Sequence, residues 1–144
     1  MPVFSVQAYL KLVRASAIYD LVLTAGFATP WSFEFLHRFF SQLNQGLGGG
    51  AFPDFTPFHL LLTCMMGSIV VVWSLLRIRH PEQRLGRYDG IARLLFSSWM
   101  FWAWLQTGAP LLLLFFIPEL SWGIAQWWPV AQPEVKQEGR AALV

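Results

Sequence analysis

Residues 56–81 read TPFHLLLTCMMGSIVVVWSLLRIRHP, and this stretch decides the fold. From Phe58 to Leu76 it holds no Asp, Glu, Lys or Arg. About 20 mostly apolar residues in a helix cross the hydrocarbon core of a bilayer. Thr56-Pro57 supplies an N-cap and a first-turn proline, and His80-Pro81 lies just past the end. The segment is therefore read as a membrane-spanning helix.

The rest of the chain agrees. Of 144 residues, 56% are hydrophobic, 17% aromatic and only 12% charged, with a mean hydropathy of +0.48. Soluble domains are about 25% charged. The net charge of +2 is too small for a nucleic-acid binder. A single cysteine, Cys64, excludes an intrachain disulfide, a CxxC redox pair and a multi-cysteine zinc site.

Three further spans are expected, at about Leu12–Thr29, Ile91–Thr107 and Pro110–Trp128. The first carries Asp20 mid-way and is the weakest. It does not read as a cleaved signal peptide, because Lys11 and Arg14 come late and Asp20 interrupts the apolar run. The fold expected is all-α, an antiparallel four-helix bundle (residues 1–130) followed by a polar, disordered tail (131–144). Nine of ten Lys and Arg residues lie in the N-terminal segment, the 77–93 region or the tail; Arg38 alone lies in the other connections. The positive-inside rule then puts both termini in the cytoplasm.

The first outer loop holds its own helix, about 30–45, opened by Thr29-Pro30 and closed by Gly46. Trp31, Phe35, Phe39 and Leu43 recur every four residues, opposite Glu34, His37, Arg38 and Ser41. Such a helix either lies in the outer membrane interface or packs as a lid on the bundle. Leu47-Gly48-Gly49-Gly50 then reads as a flexible joint.

Each span carries a polar stripe at helical spacing: Ser16, Asp20, Thr24 and Ala28; His59, Thr63, Gly67 and Ser74; Asp89, Arg93 and Ser97; Glu119, Gly123 and Gln126. Lipid offers these groups no partner, so they are expected to face inward. Counting rise along each helix puts Asp20 and Glu119 roughly 13 Å below the outer boundary, and Arg14 and Arg93 about 8 Å nearer the cytoplasm. Arg93 is expected to reach Asp20 or Glu119, leaving Asp89 to Arg87, Arg14 or water. Pro118 frees a backbone carbonyl beside Glu119 and bends the helix there.

Three readings of this constellation stand side by side: ion pairs that fix helix order, a ligand pocket, and a path for protons or ions. The candidate site residues are Asp20, Glu119, Arg93, Arg14, Thr24, His59, Trp99 and Trp102. Trp99 and Trp102 share a face and either pack the core or line a pocket for a flat apolar ligand such as a quinone. Haem is disfavoured, since His37 and His80 sit at opposite ends and only His59 lies on a span. No metal-ligand spacing, catalytic triad or phosphate loop is present.

The string Arg87-Tyr88-Asp89-Gly90-Ile91-Ala92-Arg93-Leu94-Leu95, four short spans and an aspartate mid-way along the first resemble the DoxX-like group of small bacterial membrane proteins. Tyr19-Asp20-Leu21-Val22-Leu23-Thr24 and Phe27-Ala28-Thr29-Pro30-Trp31 resemble an uncharacterised bacterial family of similar length. The resemblance covers about half the chain. It implies an inner-membrane protein with an accessory role or a place in a quinone-linked oxidoreductase. The expectation is a non-enzymatic ligand- or partner-binding protein with a buried polar site, alone, as a homo-oligomer or in a larger membrane complex. The alternatives are a membrane subunit of a quinone-linked oxidoreductase and a small proton-coupled transporter.

Overall fold

A computed structural model describes residues 3–131. The expected disordered tail falls almost wholly outside them. The described residues are all-helical, with one isolated bridge pairing Phe4 and Val130. Five helices follow in order: α1 (Val6–Thr24), α2 (Pro30–Gly46), α3 (Pro57–Arg79), α4 (Gln83–Thr107) and α5 (Pro110–Trp127), with a short 3-10 turn at Ala25–Phe27.

α1 begins where the Ser5 hydroxyl accepts from the Ala8 N–H. Its buried residues Tyr9, Val13, Ser16, Ala17 and Asp20 form one continuous stripe. α1 is the hub: it packs along α3 and also meets α4 and α5. α4 and α5 form an antiparallel hairpin, reversed at Gly108, whose φ of 64° suits only glycine well. α3 approaches α4 chiefly through long side chains. Gly67 lets α3 pass against the 3-10 turn that follows α1, for a Cβ there would lie 2.5 Å from the Phe27 carbonyl carbon.

Several boundaries depart from expectation. α1 starts at Val6 and its regular part ends at Thr24 rather than Thr29. α4 starts at Gln83, eight residues before Ile91, and α3 continues to Arg79. These ends are charged, and hydropathy places charge in connections, whereas backbone hydrogen bonding continues through it.

α2 leaves the α1 segment at an angle of 101°. Thr29 caps it and Pro30 opens it, as expected. It has two apolar faces. Trp31, Phe35 and Phe39 point outward, 79%, 70% and 49% exposed. Phe33 and Phe40 pack on Phe27, and Phe40 meets Phe115 of α5 edge-on. The expected polar face is divided. Glu34 and Arg38 are exposed, while His37 Nε2 bonds the Pro53 carbonyl and Ser41 Oγ accepts from the Phe52 N–H. α2 ends at Gly46, as expected, with Leu47 as its C-cap, and the left-handed residue is Gly48, with φ 88°. The glycine run is not a free joint. Asn44 donates to the Gly50 carbonyl and accepts from the Leu111 N–H, tying α2, the loop and α5 together.

α3 and α5 are long and apolar enough to cross a membrane, and the bent α1–α2 pair qualifies if taken as one broken span. α4, with Arg84, Arg87, Asp89 and Arg93 in its first half, does not qualify by composition. The outer face of α3 is apolar: Leu61, Leu62, Met65, Met66, Ile69 and Val72 are each at least half exposed.

Candidate functional site: a buried ion network

Three acids and two arginines from four helices meet between α1, α3, α4 and α5. Arg93 of α4 is 2% exposed and its guanidinium serves three carboxylates. Nη2 donates to both Asp20 oxygens at 2.7 Å, Nη1 to Glu119 Oε2 at 2.8 Å, and Nε to Asp89 Oδ2 at 3.0 Å. Arg77 of α3 is completely buried. It donates through Nη2 to Asp20, through Nη1 to Asp89, and to Ser16 Oγ at 3.3 Å, with its guanidinium against the Trp73 ring.

Neutral groups and a third arginine finish the network. Trp73 Nε1 donates to Asp89 Oδ1 at 2.9 Å, and Gln126 Nε2 to Asp89 Oδ2 at 2.7 Å and Ser16 Oγ at 2.9 Å. The Tyr9 hydroxyl donates to the Gln126 carbonyl. Arg87 stacks on Tyr9 and Trp127 and donates to the carbonyls of Gln126 and Trp128, closing the C-terminal end of α5. The acids are served unequally. Among the described residues, Asp89 accepts from four side chains and Asp20 from two guanidiniums, whereas Glu119 accepts from Arg93 alone.

Burial strips most of the water from these five charges, a cost that close pairing and hydrogen bonding offset. The planar guanidinium does this well because its five N–H donors point along fixed directions toward carboxylates from different helices. Arg93 therefore cross-links α4 to α1 and α5, and Arg77 links α3 to α1 and α4. Among the described residues, Ser74 Oγ, Ser97 Oγ, Arg77 Nε and Gln126 Oε1 are buried without a protein partner.

Asp20, Arg93 and Glu119 are thus brought together as expected, with the Thr24 hydroxyl one turn along, donating to the Asp20 carbonyl at 2.6 Å. Asp89 is not left to Arg87, Arg14 or water. Arg93 pairs with all three acids at once, because Nε and the two Nη groups face different neighbours. Arg14 is exposed and takes no part. His59 is exposed near the start of α3, where its Nδ1 forms a capping box with Thr56. Trp99 and Trp102 are 65% and 57% exposed, directed away from the polar axis.

Sequence reasoning missed Arg77, taken only as one of the basic residues past the second span. Its signal was present: Gly67, Ser74 and Arg77 lie on one helical face, at spacings of seven and three. It also missed Tyr9 and Trp73 as donors and Asn44 as a tie. Among the described residues no group of three His, Cys, Asp or Glu is placed to hold a metal ion. A shallow open groove on α3 is lined by Ser68, Ile69, Val72, Trp73 and Leu76. Comparison with family models, curated proteins and solved structures returns no match.

Proposed function

We propose that this chain is a non-enzymatic accessory protein of the inner membrane, in which a four-span bundle of α1, α3, α4 and α5 presents apolar outer faces to a membrane partner. The observation that carries the reading is the use of the buried polar groups. The heads of Arg77 and Arg93 fill the space between the helices and are held by the chain's own carboxylates. A network of this kind favours helix order and register over small-ligand capture. Recognition then falls to the outside of the bundle. α4 crosses despite its composition because its charges are matched inside, and α2 lies in the outer interface with Trp31, Phe35 and Phe39 toward lipid. Both termini face the cytoplasm, in keeping with the basic residues at that end. An accessory role is one of the two that the DoxX-like resemblance implies. A quinone-linked role has less support, since Trp99 and Trp102 line no pocket between the helices.

Photo-crosslinking residues at Ile69, Val72, Trp99 and Ile117, introduced singly and activated in native membranes, test the reading. A discrete protein adduct at one face supports it. Lipid adducts alone at all four positions refute it.

A further inference from the structure

We propose that the groove on α3 beside α4 binds an anionic phospholipid of the leaflet at the Arg79 end, with one acyl chain along α3 and the phosphate held by Arg79 and Arg84. The proposal rests on the reading of α3 as a membrane span and is independent of a protein partner.

The seam between α3 and α4 is fastened near one end. Trp73 and Arg77 of α3 bond Asp89 of α4 there. These bonds fix which sides of the two helices face each other. On α3 the facing line continues from Trp73 through Ile69 to Met66, and on α4 from Asp89 to Phe96. Along a closed seam these apolar side chains would be buried. Met66 and Ile69 are instead more than half exposed, and Phe96 is exposed as well. The seam is open to whatever surrounds the protein.

The groove lies on this open side. From Ser68 to Leu76 it runs about 12 Å by helical rise. One leaflet contributes about 15 Å of hydrocarbon, half of the bilayer core. The groove thus has the length of an acyl chain in one leaflet, where a partner helix would cross both. Its polar atoms are already satisfied, for the Ser68 hydroxyl donates to the Cys64 carbonyl and the Trp73 indole N–H to Asp89. A hydrocarbon chain lying there strands no hydrogen-bonding group.

Charge selects the headgroup. Arg79 follows Val72 and Leu76 at spacings of seven and three and lies about 4.5 Å past Leu76 toward the end of α3. Going round α4, Gly90 meets Trp127 of α5, Gly86 meets Tyr9 and Val13 of α1, and Asp89 meets α3. Tyr88 and Arg84 come next, on the exposed flank past α3, with the Arg84 guanidinium over the Tyr88 ring at 5.7 Å. The link between the two helices, residues 80–82, keeps Arg79 and Arg84 at the same end of the protein. Arg77 and Arg93 are held by carboxylates and Arg87 by the carbonyls of α5. Among the described residues, Arg79 and Arg84 have no carboxylate within 4 Å. The link carries one exposed acid, Glu82, which the two arginines outnumber. Two guanidiniums suit the oxygens of a phosphodiester, and basic groups at the end of a span attract anionic headgroups.

The test uses the full chain in phosphatidylcholine vesicles with a trace of phosphatidylglycerol that carries a photoreactive group in one acyl chain. The same experiment is run with photoreactive phosphatidylcholine. The phosphatidylglycerol adducts should concentrate on residues 68–76, and the phosphatidylcholine adducts should not. Arg79→Gln with Arg84→Gln should lower the phosphatidylglycerol yield there about tenfold, the combined scale of two basic residues at a headgroup surface. Lys11→Gln with Arg14→Gln makes the same change in charge and should leave that yield near wild type. All four side chains are exposed, so neither pair of changes removes a buried contact. Equal yields from the two lipids, phosphatidylglycerol adducts spread over the outer faces, or equal losses in the two double variants would each overturn the proposal and leave the accessory reading standing. A protein adduct at Ile69 or Val72 in native membranes would support the accessory reading and overturn this one. No adduct on α3 from either lipid would remove the membrane span and both readings with it.

Discussion

Replacing Arg77 with glutamine should be the most damaging single change to a charged residue outside α4. The side chain is fully buried and holds Asp20 of α1 and Asp89 of α4 from α3. Its loss leaves three carboxylates on one guanidinium and removes the direct ion-pair link between α3 and its neighbours. Removing one partner of a buried pair costs about 3–5 kcal/mol, because the other is stranded. Glutamine keeps a donor and some length, so the lower half of that range is expected. Arg77→Lys keeps the charge but offers a point donor where a fork spans two acids, and should fall between wild type and Arg77→Gln. The assay is reversible unfolding in mixed micelles, with Arg14→Gln as the exposed control, expected within about 0.5 kcal/mol of wild type. Asp20→Asn in the Arg77→Gln background should cost much less than in the wild type, since it then removes a charge already in excess. A loss below about 1 kcal/mol for Arg77→Gln, the scale of an exposed pair, would refute the reasoning, as would strict additivity with Asp20→Asn.

Three other changes test separate parts of the structure. Gly67→Val should destabilise the protein by more than about 2 kcal/mol, since the new carbons meet the backbone at Phe27 and Ala28, whereas Gly50→Ala, where nothing lies within 4 Å, should be close to neutral in the same unfolding measurement. Asn44→Ala should cost about 1–3 kcal/mol and raise hydrogen exchange at Leu111 and in residues 47–56, because the Leu111 N–H loses its acceptor and Gly50 its donor; unchanged exchange there would deny Asn44 its tying role. In a Cys64→Ser background, a cysteine at Gly50, where nothing lies within 4 Å, should react with an impermeant thiol reagent from outside whole cells and one at Gln83 should not, and the reverse pattern would invert the topology.

The elements were largely legible in the sequence. An uncharged run from Phe58 to Leu76 has one stable solution in lipid, a helix, because only a helix satisfies its own backbone there. Thr29-Pro30 and Thr56-Pro57 start helices through local hydrogen bonding that needs no tertiary partner. The inward direction of Asp20, Arg93, Ser97 and Gln126 followed from spacing alone, since residues three and four apart share a face. Tertiary structure decided the rest. Arg14 and Arg77 are alike to any measure of hydropathy, yet one is exposed and the other wholly buried. The difference is made by what crosses beside them: α3 packs along α1, with Gly67 against the Phe27 turn, and Arg77 reaches Asp20, while Arg14 lies off the stripe that α1 buries. The two-faced character of α2 was hidden for a related reason. Its stripe of Trp31, Phe35 and Phe39 is the more regular one, but Phe33, Phe40 and Asn44 are the residues that meet Phe27, Phe115 and Leu111. Periodicity reports that a face is apolar; which neighbour covers it is fixed by contacts between residues far apart in the chain, and a local pattern does not encode those.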